Sequence, residues 1–335
     1  MKPKSIKTSI MVAALLAPGA LFAQTTAKTG PVGYETIALE AGFNYIGLRL
    51  HQPTLAAGVL DAVSSSSITD NDVNIGALVT SGKTYIVEVK TTSPADSGAV
   101  AEVLGSAITN GVITTSNNLT AVGAAVGDTY IVRESDTLAS VFGAANTAGL
   151  APGYSGPTGA DLVYVPDGLG GLTAYYYDLD NSSWALASDS SLVTGSSIPL
   201  VYLDGLVVFA NGALNLVVDG EVKKSNVIQV AKPDFNYLST VYPAGATLDS
   251  AFSGSLATIH PGYSGPTGAD TIYVPSAGQN LTAYFYDLDN TSWALASDSS
   301  LVTGSAISLP SSIIYFNAGA EINVKNSAPA YYSTL

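Results

Sequence analysis

Residues 151–200 recur at 260–309 with a constant shift of 109 and no gap, and 38 of the 50 positions are identical. A segment repeated this closely must fold the same way twice, so the chain must hold two like units rather than one indivisible core. Shared residues between such copies report common ancestry and carry no information about functional constraint. The differences are more informative. They cluster where Asp167-Gly168-Leu169-Gly170-Gly171 becomes Ser276-Ala277-Gly278-Gln279-Asn280, between two strand-like runs, which predicts a tolerant, exposed turn.

Weaker similarity extends the unit. Thr137-Leu138-Ala139-Ser140-Val141-Phe142 precedes the first copy as Thr247-Leu248-Asp249-Ser250-Ala251-Phe252 precedes the second. Each predicts a short helical turn, N-capped by Asp136 or Thr137 in one copy and by Thr247 in the other. After the copies, Val207-Val208-Phe209-Ala210-Asn211-Gly212-Ala213 matches Ile314-Tyr315-Phe316-Asn317-Ala318-Gly319-Ala320. Both lead into alternating runs, Leu214-Asn215-Leu216-Val217-Val218 and Ile322-Asn323-Val324, which predicts a hairpin with an Asn/Gly turn. Upstream, Phe43-Asn44-Tyr45-Ile46 echoes Phe235-Asn236-Tyr237-Leu238 and relates the N-terminal third to the repeat more distantly.

Runs such as Thr84-Tyr85-Ile86-Val87-Glu88-Val89, Asp128-Thr129-Tyr130-Ile131-Val132 and Leu162-Val163-Tyr164-Val165 are β-branched and aromatic, and Gly, Pro, Asn and Asp bound them. Helix-length apolar periodicity is almost absent. These patterns predict an all-β protein of tandem β-sandwich or small-barrel modules with a few short helical turns. Residues Thr54 to Val63 read as one further short helix, weakened by Gly58. The expected organisation is a signal peptide at 1–23, a linker at 24–32 and an N-terminal β-rich domain at 33–135. Repeat copy 1 follows at 136–222, a connecting segment at 223–246 and repeat copy 2 at 247–335.

The address is read from the first residues. Lys2, Lys4 and Lys7 form a positive start, an apolar run extends from Ile10 through Phe22, and Ala23 precedes Gln24. That pattern predicts a secretory signal peptide and an exported protein, extracellular or on the cell surface, with the periplasm as the alternative. No later stretch is apolar for long enough to cross a membrane as a helix once the signal is removed. The absence of cysteine excludes disulfides, thiol catalysis and a lipoprotein anchor together. Twelve basic residues against 26 acidic ones give a formal charge of −14, which excludes nucleic acid as a partner. Loss of the three leader lysines takes the charge to −17.

Each copy carries a Tyr-rich strand, an Asp/Asn turn and a Trp: Tyr175-Tyr176-Tyr177-Asp178-Leu179-Asp180-Asn181-Ser182-Ser183-Trp184, and Tyr284-Phe285-Tyr286-Asp287-Leu288-Asp289-Asn290-Thr291-Ser292-Trp293. Three readings compete. The first is a hairpin whose Asp and Asn side chains cap the turn while alternate aromatics fill the core. The second is a calcium site at Asp178, Asp180 and Asn181, with Asp287, Asp289 and Asn290 in the other copy; it lacks the glycine and distal glutamate of an EF-hand. The third is a sugar-stacking platform built from Tyr175, Tyr177 and Trp184, and from Tyr284, Tyr286 and Trp293. Calcium is the one cofactor these residues suggest; no other is expected.

Enzyme readings find little. His260 aligns with Ala151, so a duplicated mechanism cannot use it, and His51 stands beside Arg49 with no acidic neighbour in sequence. No metalloprotease motif, phosphate loop or nucleophile elbow is present. A glycosidase-type pair can come from distant strands, and the duplicated acids Asp161/Asp270 and Asp189/Asp298 are the first to inspect.

Gly42-Phe43-Asn44-Tyr45-Ile46-Gly47-Leu48-Arg49-Leu50-His51-Gln52-Pro53, Gly82-Lys83-Thr84-Tyr85-Ile86-Val87-Glu88-Val89, Gly127-Asp128-Thr129-Tyr130 and Ser135-Asp136-Thr137-Leu138 follow one another, with the aromatic strand and Trp184 further on. This order of features resembles an uncharacterised family of secreted proteins from Verrucomicrobia and related bacteria. It spans most of residues 33–220 and implies export with an unknown role and no catalytic residues. The combined expectation is a non-enzymatic structural or adhesion protein whose partners are further copies of itself, cell-surface components or extracellular glycans. The alternatives are a secreted carbohydrate-binding protein using the Tyr/Trp hairpins and an outer-membrane β-barrel, although Tyr331-Tyr332-Ser333-Thr334-Leu335 lacks a closing alternating strand.

Overall fold

The computed structural model describes residues 30–168, 170–276 and 280–334. The expected signal peptide, residues 24–29 of the linker, and Leu169 and 277–279 in the variable turn lie outside the described residues. The protein is all-β: the described residues form seven sheets of two to six strands and two five-residue α-helices, Leu138–Phe142 and Leu248–Phe252. Each helix starts at the expected threonine. Thr137 and Ser140 cap each other reciprocally, side chain to backbone, and Thr247 and Ser250 do the same, which satisfies N–H groups that a single helical turn leaves open.

Two six-stranded antiparallel sheets have the same order. The first runs Leu192–Val193, Ser183–Leu186, Leu172–Asp178, Leu162–Pro166, Gly205–Ala210, Gly42–Gly47, and the second runs Leu301–Val302, Ser292–Leu295, Leu281–Asp287, Thr271–Pro275, Ser312–Asn317, Asp234–Ser239. A smaller antiparallel layer closes each core. Val32–Leu39 pairs with Leu214–Val222 over the first, and Val227–Ala231 pairs with Ile322–Asn326 over the second. Ile37, Leu39, Leu216 and Val218 thereby pack with Val163, Val165, Trp184, Leu206 and Val208. Ala231 and Val324 pack with Ile272, Val274, Trp293 and Ile313. Each unit is a two-layer β-sandwich.

These pairings draw boundaries different from those expected. Val32–Leu39 and Gly42–Gly47 belong to the first sandwich, so the echo between Phe43-Asn44-Tyr45-Ile46 and Phe235-Asn236-Tyr237-Leu238 marks the same edge strand in both units. Residues 54–134 form an inserted unit with its own core around Tyr85, Val87, Val103, Ile113, Leu119 and Tyr130. It interrupts the first sandwich between Gly47 and Leu138, where the second sandwich has a short loop between Ser239 and Leu248. The stretch 223–246 is no mere connector, since it supplies two strands to the second sandwich.

Two local expectations also change. Thr54–Val59 is a strand paired with Thr129–Glu134, and no helix forms there. Gly58 lies against Asp70 and Tyr130, where a Cβ would sit 2.0 Å from the Asp70 carboxylate; the glycine serves this close approach in a strand. The segments after Phe209 and Phe316 do not return as hairpins. The chain crosses at the Asn211 corner from the six-stranded layer to the opposing one, and Leu214–Val222 pairs with Val32–Leu39. Asp161 holds that corner by accepting from the Asn211 backbone and side-chain amides at 2.7 and 2.8 Å.

The two sandwiches meet through corresponding residues. Gly205 pairs with Gly47 in one sheet, as Ser312 pairs with Ser239 in the other. A Cβ on Gly205 would lie 2.0 Å from Ser312 Oγ, and one on Gly47 would lie 2.6 Å from Ser239 Oγ and 2.0 Å from the Ser311 carbonyl. Contact between like positions is the pattern of a two-fold interface, here within one chain.

Candidate functional site

The Tyr/Trp hairpins form as expected, Tyr177 opposite Trp184 and Tyr286 opposite Trp293, but their rings face inward. Trp184 is 1% exposed and Trp293 2%. Tyr175, Tyr177 and Tyr284 are buried, and Tyr286 is half-buried against the same core. Trp184 Nε1 donates to the Gly143 carbonyl and Trp293 Nε1 to Asp249 Oδ1, each at 3.0 Å. With ring faces and N–H groups both occupied, these residues cannot stack on a sugar, and the sugar-platform reading of Tyr175, Tyr177, Trp184, Tyr284, Tyr286 and Trp293 is corrected to a core role.

The calcium candidates are drawn into turn geometry. Asp178 Oδ1 accepts from the Asp180 and Asn181 backbone N–H, and its Oδ2 accepts from Asn181 Nδ2 at 2.9 Å. Asp287 makes the same bonds to Asp289 and Asn290. Asp180 and Asp289 accept from Ser155 and Ser264. The Asn181 and Asn290 side chains hold the Asp178 and Asp287 carboxyls below the usual range. These are the bonds of an Asx-type turn, and they orient the lone pairs toward N–H donors rather than toward a common centre. Among the described residues, the carboxylates that do converge are Asp61, Asp70 and Asp72. There Asp70 already accepts from Tyr130 Oη and from the Asp72 and Val73 backbone.

The duplicated acids named for a glycosidase are likewise engaged in local hydrogen bonds. Asp161 accepts from the Ala151 backbone and Asp270 from the His260 backbone, each at 2.8 Å. Asp189 and Asp298 cap the turns at Ser191 and Ser300. His260 Nδ1 lies 3.2 Å from Asp270 Oδ1, an addition peculiar to the second copy.

Exposed aromatics lie on the opposite face of each sheet. Phe43, 44% exposed, packs edge-on against Phe209 with ring centroids 5.1 Å apart and lies 6.3 Å from Tyr164. Phe235, 48% exposed, repeats this with Phe316 at 5.1 Å and Tyr273 at 6.1 Å. Each trio spans three adjacent strands. The first borders a shallow depression of about 570 Å³ lined by Pro157, Leu162, Tyr164, Leu172, Ala174 and Ala187. Phe43 and Phe235 belong to the edge strands that the sequence shows only as an echo, so the motif was legible in its residues but not in its assembly.

A second constellation is buried where the inserted unit meets the sandwiches. Glu88 Oε1 accepts from Arg133 Nε and Tyr202 Oη, both at 3.0 Å, and its Oε2 accepts from Lys223 Nζ. Arg133 also reaches Glu221 at 3.2 Å and the Gln52 carbonyl. The His51 ring packs at a tilt against Tyr202 with centroids 4.1 Å apart. Its two nitrogens are buried without a partner of good geometry, the Val241 backbone being a marginal one. Burial alone would raise the Glu88 carboxyl, but Lys223 and Arg133 outweigh it and hold it at about 2. Burial, then Arg133, pushes His51 down to about 3.

No family model, no curated protein and no solved structure matches this chain.

Proposed function

We propose that the protein is an exported structural or adhesion protein without a catalytic role, presenting two equivalent contact surfaces from one chain. The observation that carries this reading is the pair of half-exposed aromatic trios, Phe43/Phe209/Tyr164 and Phe235/Phe316/Tyr273, in the same place on two sandwiches. Duplicated surfaces raise avidity without new contact chemistry, and half-exposed aromatic clusters are a usual feature of contact surfaces. The leader-like N-terminus and the resemblance to secreted proteins support export.

A second reading, carbohydrate binding, is favoured by the same trios, because aromatic faces in a charge-poor setting suit neutral sugars. The barrel alternative draws no support: each sheet of the described residues has an open strand order, and the largest aromatics are buried in the cores. No helix among the described residues is long and apolar enough to cross a membrane.

The test is fractionation of the producing cells, followed by co-sedimentation of the purified protein with insoluble polysaccharides and with whole cells, for wild type and for Phe43→Ala/Phe235→Ala. Recovery outside the cytoplasm, with binding to either material lost in the double variant at unchanged melting temperature, is the expected result. Cytosolic recovery, or binding indifferent to both substitutions, contradicts the proposal.

A further inference from the structure

The buried cluster around Glu88 joins three parts of the chain. Glu88 and Arg133 come from the inserted unit, on Thr84–Lys90 and Thr129–Glu134. His51, Tyr202 and Glu221 belong to the first sandwich, and Lys223 begins the segment leading to the second. His51, Glu88, Arg133, Tyr202 and Lys223 are all less than a tenth exposed. The formal charges balance, with Arg133 and Lys223 against Glu88 and Glu221. Balance is what lets such a group stay dry, since an unpaired buried charge costs several kcal/mol.

His51 is the one member whose ordinary titration falls in the mildly acidic range. Its neighbours from every packed element are Glu88, Arg133 and Lys223, with Glu221 opposite it in the strand pairing, Tyr202 tilted against the ring and Tyr242 beyond. A proton on the ring adds a third cation facing two carboxylates, and the only acceptor near either nitrogen is the marginally placed Val241 backbone. Relief comes from parting the cluster, so that water reaches the ring.

We propose that His51 is an acid-sensitive latch, whose protonation releases the inserted unit from the two sandwiches while each retains its fold. The inserted unit has a core of its own, and of its strands only Ile86 and Val100 pack into the core of the first sandwich, which makes this division physically available. The closed state resists protonation, with the ring held at about 3 against 6.5 when free. Opening therefore occurs between these limits, at a pH set by the strength of the remaining contacts. The latch stands apart from the adhesion reading, because it concerns an internal seam and needs neither aromatic trio.

The test uses the absence of native cysteine. Leu78→Cys on the inserted unit and Leu192→Cys on the first sandwich, 49% and 53% exposed, are spin-labelled in the full chain after leader removal. Their separation is followed by pulsed dipolar spectroscopy from pH 7.5 to 3.5, beside far-ultraviolet circular dichroism. The expected result is a longer, broader distance at acid pH with the β signal retained. His51→Phe, which keeps a ring against Tyr202 and takes no proton, moves the opening midpoint down by at least one pH unit; His51→Gln serves if that variant does not fold. A distance unchanged to pH 3.5, a midpoint that both variants leave in place, or opening that coincides with loss of the β signal overturns the proposal.

Discussion

Gly205 faces Ser312 across the junction between the sandwiches, and the two occupy the same position in their own sheets. Like meets like at this point, and one partner has given up its side chain. A side chain on Gly205 would have to displace the Ser312 hydroxyl, with the Ser312 Cβ and the Leu238 backbone also within 3.3 Å. Gly205→Ser is therefore expected to cost about 1–3 kcal/mol. Ser312→Gly in the same chain restores most of it, and urea unfolding of the four-member cycle gives a coupling energy of at least about 1 kcal/mol. Additive effects would mean that the two positions do not touch.

Removing either tryptophan should damage its own sandwich. Trp184→Ala and Trp293→Ala are each expected to lose about 3–5 kcal/mol, as for large buried aromatics elsewhere. The copies differ in one partner, since Trp293 donates to the Asp249 carboxylate and Trp184 to a backbone carbonyl. Asp249→Ala accordingly costs about 1–3 kcal/mol, whereas Ala139→Asp, at the matching position, brings no comparable gain because Gly143 already serves Trp184. Equilibrium denaturation reads all of these.

Acid stability has a sign that can be worked out group by group. His51 falls from 6.5 to about 3 on folding, so between those values the unfolded chain binds more protons and stability rises with pH. Its contribution is complete above 6.5 and lost as pH falls toward 3, on the order of a few kcal/mol. Glu88, held at about 2 against 4.5, contributes stability above 4.5 that is lost as pH falls through 2. Asp204 runs the other way: burial, then Glu102, lifts it from 3.8 to about 7, so its contribution is present below 3.8 and lost as pH rises through 7. Melting curves of wild type, His51→Phe and Asp204→Asn from pH 3.5 to 8 separate these effects. His51→Phe flattens the acid side and Asp204→Asn flattens the neutral side; identical profiles for all three contradict the assignment.

Breaking the ion cluster from its centre is expected to be severe. Glu88→Ala leaves Lys223 and Arg133 buried with too little counter-charge, at a cost of about 3–5 kcal/mol. Glu88→Gln costs less, because the amide oxygen still accepts from Tyr202 or Arg133. Equal losses in chemical denaturation would show that charge is not what matters there.

Calcium offers a further check on the turns. The Asp178 and Asp287 oxygens are engaged by N–H donors, so chelator and added calcium should leave the melting temperature within error. Asp178→Ala lowers it, with no rescue by calcium. A calcium-dependent rise abolished by that substitution would reinstate a metal site.

Much of the fold was legible because local signals agreed with it. The capping threonines, the Tyr177/Trp184 hairpin and the β-branched runs are dictated within a few residues. What escaped is non-local. Glu88 finds Arg133 across 45 positions and Lys223 across 135, so a histidine with no acid beside it in sequence has one beside it in space. A hint was present: a lone Glu within Tyr85-Ile86-Val87-Glu88-Val89, apolar on both faces, has to be paired. The crossing at Asn211 and the strand at Thr54–Val59 are not legible locally, because an Asn/Gly corner and a Gly-containing apolar run each suit two structures, and only distant partners decide between them.

The placement of Gly42–Gly47 in the first sandwich underlies the two-unit architecture, the paired trios and the insertion alike. Phe43 and Phe209 are directly opposed in register, and the chain has no cysteine of its own. Phe43→Cys/Phe209→Cys should therefore close a disulfide under mild oxidation, without lowering the melting temperature of the oxidised protein below that of the reduced form. A Phe43→Cys/Leu104→Cys control, reaching instead to the inserted unit, should stay reduced. Failure of the first pair to join, or ready joining of the control, would place that strand elsewhere and contradict the account.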